Sequence, residues 1–177
     1  AISNMNTTIC SGSAFTSAPA DGTNGIVPSG TTYTWGAPVI APALAITGGA
    51  AEALPQADIS QTLTNVTNAV ATATYTVTPV SGLCTGAAFT VTVTVNPMPA
   101  VTNMTATICS AGSFVSAPLD VLNGIVPAGT TYTWPAPVIS GSITGGAAGT
   151  NALTIGGTLT NTSNVVQTAT YTVTPKA

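Results

Sequence analysis

This sequence predicts an all-β chain in which one domain is built twice. Three observations carry that expectation: a long internal repeat, strict alternation of Thr with apolar residues, and Gly/Pro turn signals at short intervals. Asn4–Ile40 returns without a gap as Asn103–Ile139, so Cys10 maps to Cys109 and Trp35 to Trp134, each by 99 positions (109 − 10 and 134 − 35). Thr62–Pro79 returns as Thr158–Pro175, shifted by 96 (158 − 62). A period of that length exceeds solenoid and propeller-blade units and suits a whole β-sandwich.

In the first copy, strands are expected at Ile2–Thr8, Ala14–Ala18, Thr31–Trp35, Ala43–Thr47 and Ile59–Asn65. Each is short, rich in β-branched or aromatic residues and bounded by turn formers. The turns are DGTNG (Asp21–Gly25), PSG (Pro28–Gly30) and TGG (Thr47–Gly49), where glycine supplies positive φ. Ala71–Pro79 turns Thr72, Thr74, Thr76 and Thr78 to one face and Ala73, Tyr75 and Val77 to the other. Ala88–Pro97 places Phe89, Val91, Val93 and Val95 inward, with Thr90, Thr92 and Thr94 outward. A period of two predicts half-buried antiparallel strands. No window carries a helical period.

About seven short strands per copy is the pattern of an immunoglobulin-like sandwich. The expected organisation is tandem immunoglobulin-like β-sandwiches: a complete unit over 1–97, a Pro-containing linker over 98–101 and a second unit over 102–177. The prolines of NPMPA (Asn96–Ala100) end the last strand and stiffen the joint. The second copy stops at Lys176–Ala177, where the first continues through Ser81–Pro97, so it is expected to lack its final strand.

Charge is scarce. Only 3% of residues are charged, against roughly 25% in ordinary soluble domains. Disorder is not the reason, because 45% of the residues are hydrophobic and disordered chains lack apolar and β-branched residues. Thr takes the place of charge on the strand surfaces. A single Lys and no His or Arg leave nothing to hold phosphates, which excludes nucleic acid as a partner. The mean hydropathy is +0.49, yet the most apolar stretch, Trp35–Pro55, carries Pro38, Pro42, Pro55, Gly36, Gly48 and Gly49 and cannot be a spanning helix. Aromatic residues, at 5%, are too few for the girdles of a membrane barrel. Membrane insertion is therefore not expected. No charged segment followed by an apolar core opens the chain, so a secretory signal is expected to have been removed or to lie upstream.

Cys10 and Cys84 bracket the first unit and are expected to form a disulfide closing a loop of 75 residues (84 − 10 + 1). In an oxidising compartment such a loop is stabilised by about 4 kcal/mol. Cys109 is the odd one, an unpaired thiol or half of an intermolecular bridge. Three cysteines without His or a CxxC pair make no metal site, and no cofactor is expected. Trp35 and Trp134 sit in TTYTW with Tyr33 and Tyr132 on the same strand face. They are assigned to the sandwich core, in preference to an exposed aromatic platform for sugars. Phe89 belongs to the same core, and Tyr75 and Tyr171 are core or corner tyrosines.

The carboxylates are Asp21, Glu52, Asp58 and Asp120. Asp21 and Asp120 lie in equivalent turns beside Asn24 and Asn123, where a side-chain oxygen caps the turn. Glu52 and Asp58 lie where the copies differ in length. A glycosidase needs two carboxylates across a cleft, and the second copy has one acid. Calcium needs several carboxylate oxygens. Without His there is no Ser–His pair, so no catalysis is expected. The Thr-x-Thr rows are similar to ice-binding surfaces, which usually recur on short solenoid coils. Asn6, Asn65, Asn103 and Asn161 satisfy N-x-[ST], a motif that arises by chance in a Thr-rich chain.

As a set, TICSG, GTTYTW, ITGG, LTNTSN, QTATYTVTP and GLCTGAAFTVTVTVNPMP resemble the PKD-like repeats of very large secreted surface proteins of Bacteroidota. The resemblance covers nearly the whole chain. It implies immunoglobulin-like sandwiches in adhesins and cell-surface fibres, often exported by the gliding-associated route, with no active site. The expected protein is a secreted, cell-surface structural or adhesive module whose partners are other copies or adjacent repeats of a longer chain. A carbohydrate-binding module recognising surface glycans, or an ice-binding one, is the competing class. The second unit is expected to offer a slot for a strand like Phe89, Val91, Val93 and Val95, filled by strand addition in a filament.

Overall fold

The structure, a computed structural model, describes residues 1–177. Two compact units divide the chain, Ala1–Pro97 and Met98–Ala177. All regular structure is β, and no helix is long and apolar enough to cross a membrane.

Unit 1 contains β1 (Met5–Cys10), β2 (Ser13–Ser17), β3 (Thr32–Trp35), β4 (Val39–Ala41), β5 (Ile46–Thr47), β6 (Glu52–Gln56), β7 (Ile59–Asn65), β8 (Ala71–Ser81), β9 (Cys84–Thr85) and β10 (Phe89–Asn96). One sheet runs β1-β10-β8-β3-β6, with β4 and β9 also paired to β8, and the facing sheet runs β2-β7-β5. This is the predicted all-β sandwich. Alternation does the sorting: Ala71, Ala73, Tyr75 and Val77 of β8 and Phe89, Val91, Val93 and Val95 of β10 are buried, and the Thr residues between them are not. They pack with Phe15, Ile46, Ile59 and Leu63 of the facing sheet in one core. Phe15 and Tyr75 bring ring centroids to 5.4 Å, and Tyr33 meets Phe89 edge-on at 6.1 Å.

Four features depart from the sequence reading. Strands β4, β6 and β9 were not anticipated, because they are short and β4 and β6 lie among Pro38, Pro42 and Pro55. The expected Ala43–Thr47 strand is only Ile46–Thr47. The opening strand, expected at Ile2–Thr8, is Met5–Cys10 and pairs parallel to β10. Residues 98–101 are not a free linker, since Ala100–Val101 form a ladder with Gly124–Ile125 inside unit 2.

That last pairing repeats the Ile2–Gly25 bridge of unit 1. Both contacts require glycine. Gly25 and Gly124 have φ of +105° and +103°, and a Cβ there would overlap the carbonyl oxygens of Ala1 and Ala100.

The expected Cys10–Cys84 disulfide is overturned: all three cysteines are free and exposed. Parallel pairing is the reason. Cys10 lies opposite Asn96, whereas Cys84 pairs with Ser81 beyond the Phe89 end of β10. Seven residues of strand separate Asn96 from Phe89 (96 − 89), a span of roughly 23 Å, and a disulfide needs Cα atoms within about 7 Å. Native protein should therefore give three thiols with Ellman's reagent before denaturant is added. Only one reactive thiol would restore the bridge.

Unit 2 contains β11 (Ala100–Val101), β12 (Gly112–Ser116), β13 (Gly124–Ile125), β14 (Thr131–Trp134), β15 (Val138–Ile139), β16 (Ile143–Thr144), β17 (Gly149–Ala152), β18 (Ile155–Asn161), β19 (Ala169–Thr170) and β20 (Thr174–Lys176). They form small ladders: β12-β18-β16, β17-β14-β20, β15-β19 and β11-β13. Its buried cluster is Tyr132, Trp134 and Ile155, with Val101, Phe114, Ala152, Tyr171 and Val173 packed against it. No strand forms over 102–109, the counterpart of β1.

Candidate functional site

In unit 1 the place of β10 is defined on both sides. It pairs parallel with β1 (Met5 opposite Val91, Thr7 opposite Val93, Ile9 opposite Val95) and antiparallel with β8 (Val77 opposite Phe89, Tyr75 opposite Val91, Ala73 opposite Val93). Val91, Val93 and Val95 are 0% exposed there. Three polar contacts lock the strand at chosen points. Asn4 Oδ1 accepts from Thr90 N at 2.9 Å, Ser11 N donates to Asn96 O at 2.9 Å, and Asn65 Nδ2 donates to Val95 O at 2.9 Å.

Asn65 is the anchor of this corner. Its amide also donates to Ala69 O, its Oδ1 accepts from Thr67 N and Oγ1, and its backbone exchanges two hydrogen bonds with the buried Ser11 hydroxyl. With 2% of its surface exposed, this residue of an N-x-[ST] motif is a structural tie between the two sheets. Sequence reasoning missed it; the signal available was the recurrence of LTN and CS at matched positions in both copies.

Unit 2 keeps the same frame around a groove. Ser110 Oγ and Asn161 exchange the same pair of bonds, Asn161 Nδ2 donates to Val165 O, and Asn161 Oδ1 accepts from Ser163 N and Oγ. Where β10 would lie there is an open cavity of about 1000 Å³ bordered by residues 101–110 and 163–171. Its floor includes Phe114, Tyr132, Ile155, Leu159, Tyr171 and Val173. Cys109 lines its rim.

The sequence-predicted site residues fall into two groups. Tyr33, Trp35, Tyr75 and Phe89 lie in the unit 1 core, and Tyr132 and Trp134 in the unit 2 cluster. Trp35 and Trp134 are 6% and 5% exposed, and their indole N–H groups donate to Ala50 O at 3.2 Å and Ala147 O at 3.1 Å. A sugar platform needs an open ring face, which neither indole offers. Tyr171 is only half-buried, facing Phe114 across 5.3 Å. Three of the four carboxylates serve local backbone. Asp21 Oδ1 accepts from Val27 N, Asp120 Oδ1 from Val126 N, and Glu52 Oε1 from Leu54 N.

Burial raises the pKa of all four tyrosines, and that of Tyr75 is pushed up from 10 to about 12. The folded chain then holds a proton that the unfolded chain releases. Its contribution is fully present below pH 10 and is lost as pH rises from 10 to about 12. An alkaline titration should show unfolding and tyrosine ionisation at 295 nm rising together in that window. Tyrosines that ionise reversibly near pH 10 in a still-folded chain would contradict the burial.

One polar atom in unit 2 is buried without a partner, the Tyr171 hydroxyl. In unit 1 the matching Tyr75 hydroxyl donates to Gln61 Oε1 at 2.8 Å, and at the position of Gln61 the second copy has Gly157. A Cβ on Gly157 would meet that hydroxyl at 3.4 Å and the Phe114 ring at 3.6 Å, ordinary contacts. Gly157→Gln is therefore expected to stabilise unit 2 by about 1–2 kcal/mol, through one satisfied hydroxyl and a stiffer strand. The melting temperature of unit 2 reads the result, and the double variant with Tyr171→Phe should lose most of the gain.

Comparison with known proteins agrees with this architecture. The PKD-like domain family matches twice, over residues 7–99 and 106–177. Nothing among the curated proteins or the solved structures matches the chain. With both units matched, the chain belongs to the PKD-like domain family.

Proposed function

We propose that this chain is a structural and adhesive module of an extracellular repeat protein, assembling with adjacent repeats or other copies into a surface filament or fibre. The observation that carries this reading is the tandem repetition of one PKD-like unit, matched over 7–99 and 106–177, whose strands are faced with Thr and almost without charge. Sheet margins in such a chain carry almost no Lys or Glu to repel an incoming strand, which joins through main-chain hydrogen bonds. The PKD-like family supports a non-catalytic role. So does the use of the Asp21, Asp120 and Glu52 carboxylates as caps for nearby backbone.

The test is assembly itself. Purified chain, concentrated at neutral pH and imaged by negative-stain electron microscopy, should form linear particles with a regular axial repeat. Sedimentation velocity should show a concentration-dependent series of species. A monodisperse monomer across the whole concentration range would reject the filament reading.

A further inference from the structure

The geometry points to a load-bearing function: unit 1 is a shear clamp against tension along the chain, and β1 and β10 are its two halves. This inference rests on the repeat-module reading, in which any pull between neighbouring repeats enters and leaves each unit through its two ends. The observation behind it is the parallel pairing of the first strand of the unit with the last.

Parallel pairing decides how the load falls. Met5 lies opposite Val91 and Cys10 opposite Asn96, so the chain enters the pair at the Met5 end and leaves it at the Asn96 end. Tension at Ala1 and Pro97, the bounds of the unit, therefore draws β1 and β10 past each other along their length. The six residue pairs from Met5–Val91 to Cys10–Asn96 carry that load together and fail together. An antiparallel pair would bring both chain ends to one side, and the same pull would open its ladder one bond at a time.

The contacts at the loaded ends fit this function. Thr90 N donates to Asn4 Oδ1 at 2.9 Å beside the point of entry, and Ser11 N donates to Asn96 O at 2.9 Å at the point of exit. Asn4 and Ser11 flank β1, so each adds a tie just outside the ladder. Asn65 Nδ2 donates to Val95 O at 2.9 Å and fastens the exit end of β10 to the facing sheet. The inner face of the pair is closed to water: Val91, Val93 and Val95 are buried, and Met5 and Ile9 pack on the same core. Behind the clamp, β10 is held along its length by β8, from Phe89–Val77 to Val95–Ala71.

The experiment pulls single molecules of the full chain in two directions. Cys10→Ser and Cys109→Ser leave Cys84 as the one thiol for a handle. The first geometry attaches handles at Ala1 and Ala177, which loads unit 1 through its two ends. The second attaches them at Ala1 and Cys84. Cys84 lines the same small pocket as Ala1 and Ile2, beyond the Phe89 end of β10, so this pull peels β1 away starting at Met5. In the first geometry unit 1 is recognised by release of the 92 residues from Met5 to Asn96 (96 − 5 + 1), roughly 300 Å of chain.

At one pulling speed the unit 1 force in the first geometry should be at least about twice that in the second, because forced unfolding follows the barrier crossed and not the equilibrium stability. Both pulls use one protein, so a difference between them cannot come from its stability. Equal forces, or a lower force in the first geometry, would overturn the inference. Linear particles formed by a chain whose unit 1 shows no such direction dependence would remove the clamp and leave the repeat-module reading in place. A direction-dependent force in a chain that forms no particles would uphold the clamp and reject the filament reading.

Discussion

Replacing Trp35 by alanine is expected to lower the stability of unit 1 by about 3–5 kcal/mol, the cost of a large aromatic truncation in a closed core. The indole sits among the buried residues of β3, β8 and the facing sheet, and its N–H satisfies Ala50 O. Alanine removes packing, opens a cavity and leaves Ala50 O with the Gln61 Nε2 donor alone. At about 4–8 °C per kcal/mol for a domain of this size, the unit 1 melting transition should fall by 12 °C or more. A shift of a degree or two would mean that the ring is not in the core, and would reopen the sugar-platform reading.

Joining a strand of the Phe89–Asn96 type to unit 2 is expected to give the second large effect. The variant appends a copy of residues 82–97, with Ser at the cysteine position, after Ala177, which matches Ser81 of unit 1. Its Phe and three Val residues should fill the groove from within the same polypeptide and bury side chains that are half-exposed in unit 2, Tyr171 and Val173 among them. Each net kcal/mol gained moves the unit 2 transition up by about 4–8 °C. Amide exchange should slow at Tyr171 and Val173 in parallel. An unchanged transition and unprotected amides would show that the groove is not a strand position.

Much of the fold was legible because the sandwich rests on a period-two pattern that survives short windows. Ile59–Asn65 is a strand at the expected bounds, and the Thr/apolar alternation of Ala71–Pro79 and Ala88–Pro97 sorted buried from open residues position by position. Pairing direction was not legible. Alternation says which face a residue takes, and β1 alternates equally well beside a parallel or an antiparallel neighbour. The disulfide expectation failed on that point alone, since parallel pairing sends Cys10 to the far end of the sheet from Cys84. The Ser11–Asn65 corner was missed for a related reason. It joins residues 54 positions apart, and no local pattern marks such a tie.

The sequence by itself determined the repeat, the all-β class and the buried and open faces of Ala71–Pro79 and Ala88–Pro97. Tertiary structure alone decided what those residues become. The octapeptide TATYTVTP occurs at Thr72–Pro79 and again at Thr168–Pro175. In unit 1 it lies inside one continuous strand with Tyr75 fully buried, and in unit 2 it breaks into β19 and β20 with Tyr171 half-open and its hydroxyl unpaired. The local propensities are identical. What differs is the neighbour: β10 supplies backbone partners and covers the apolar face in unit 1, and a strand without such a partner has neither ladder nor cover to hold it extended.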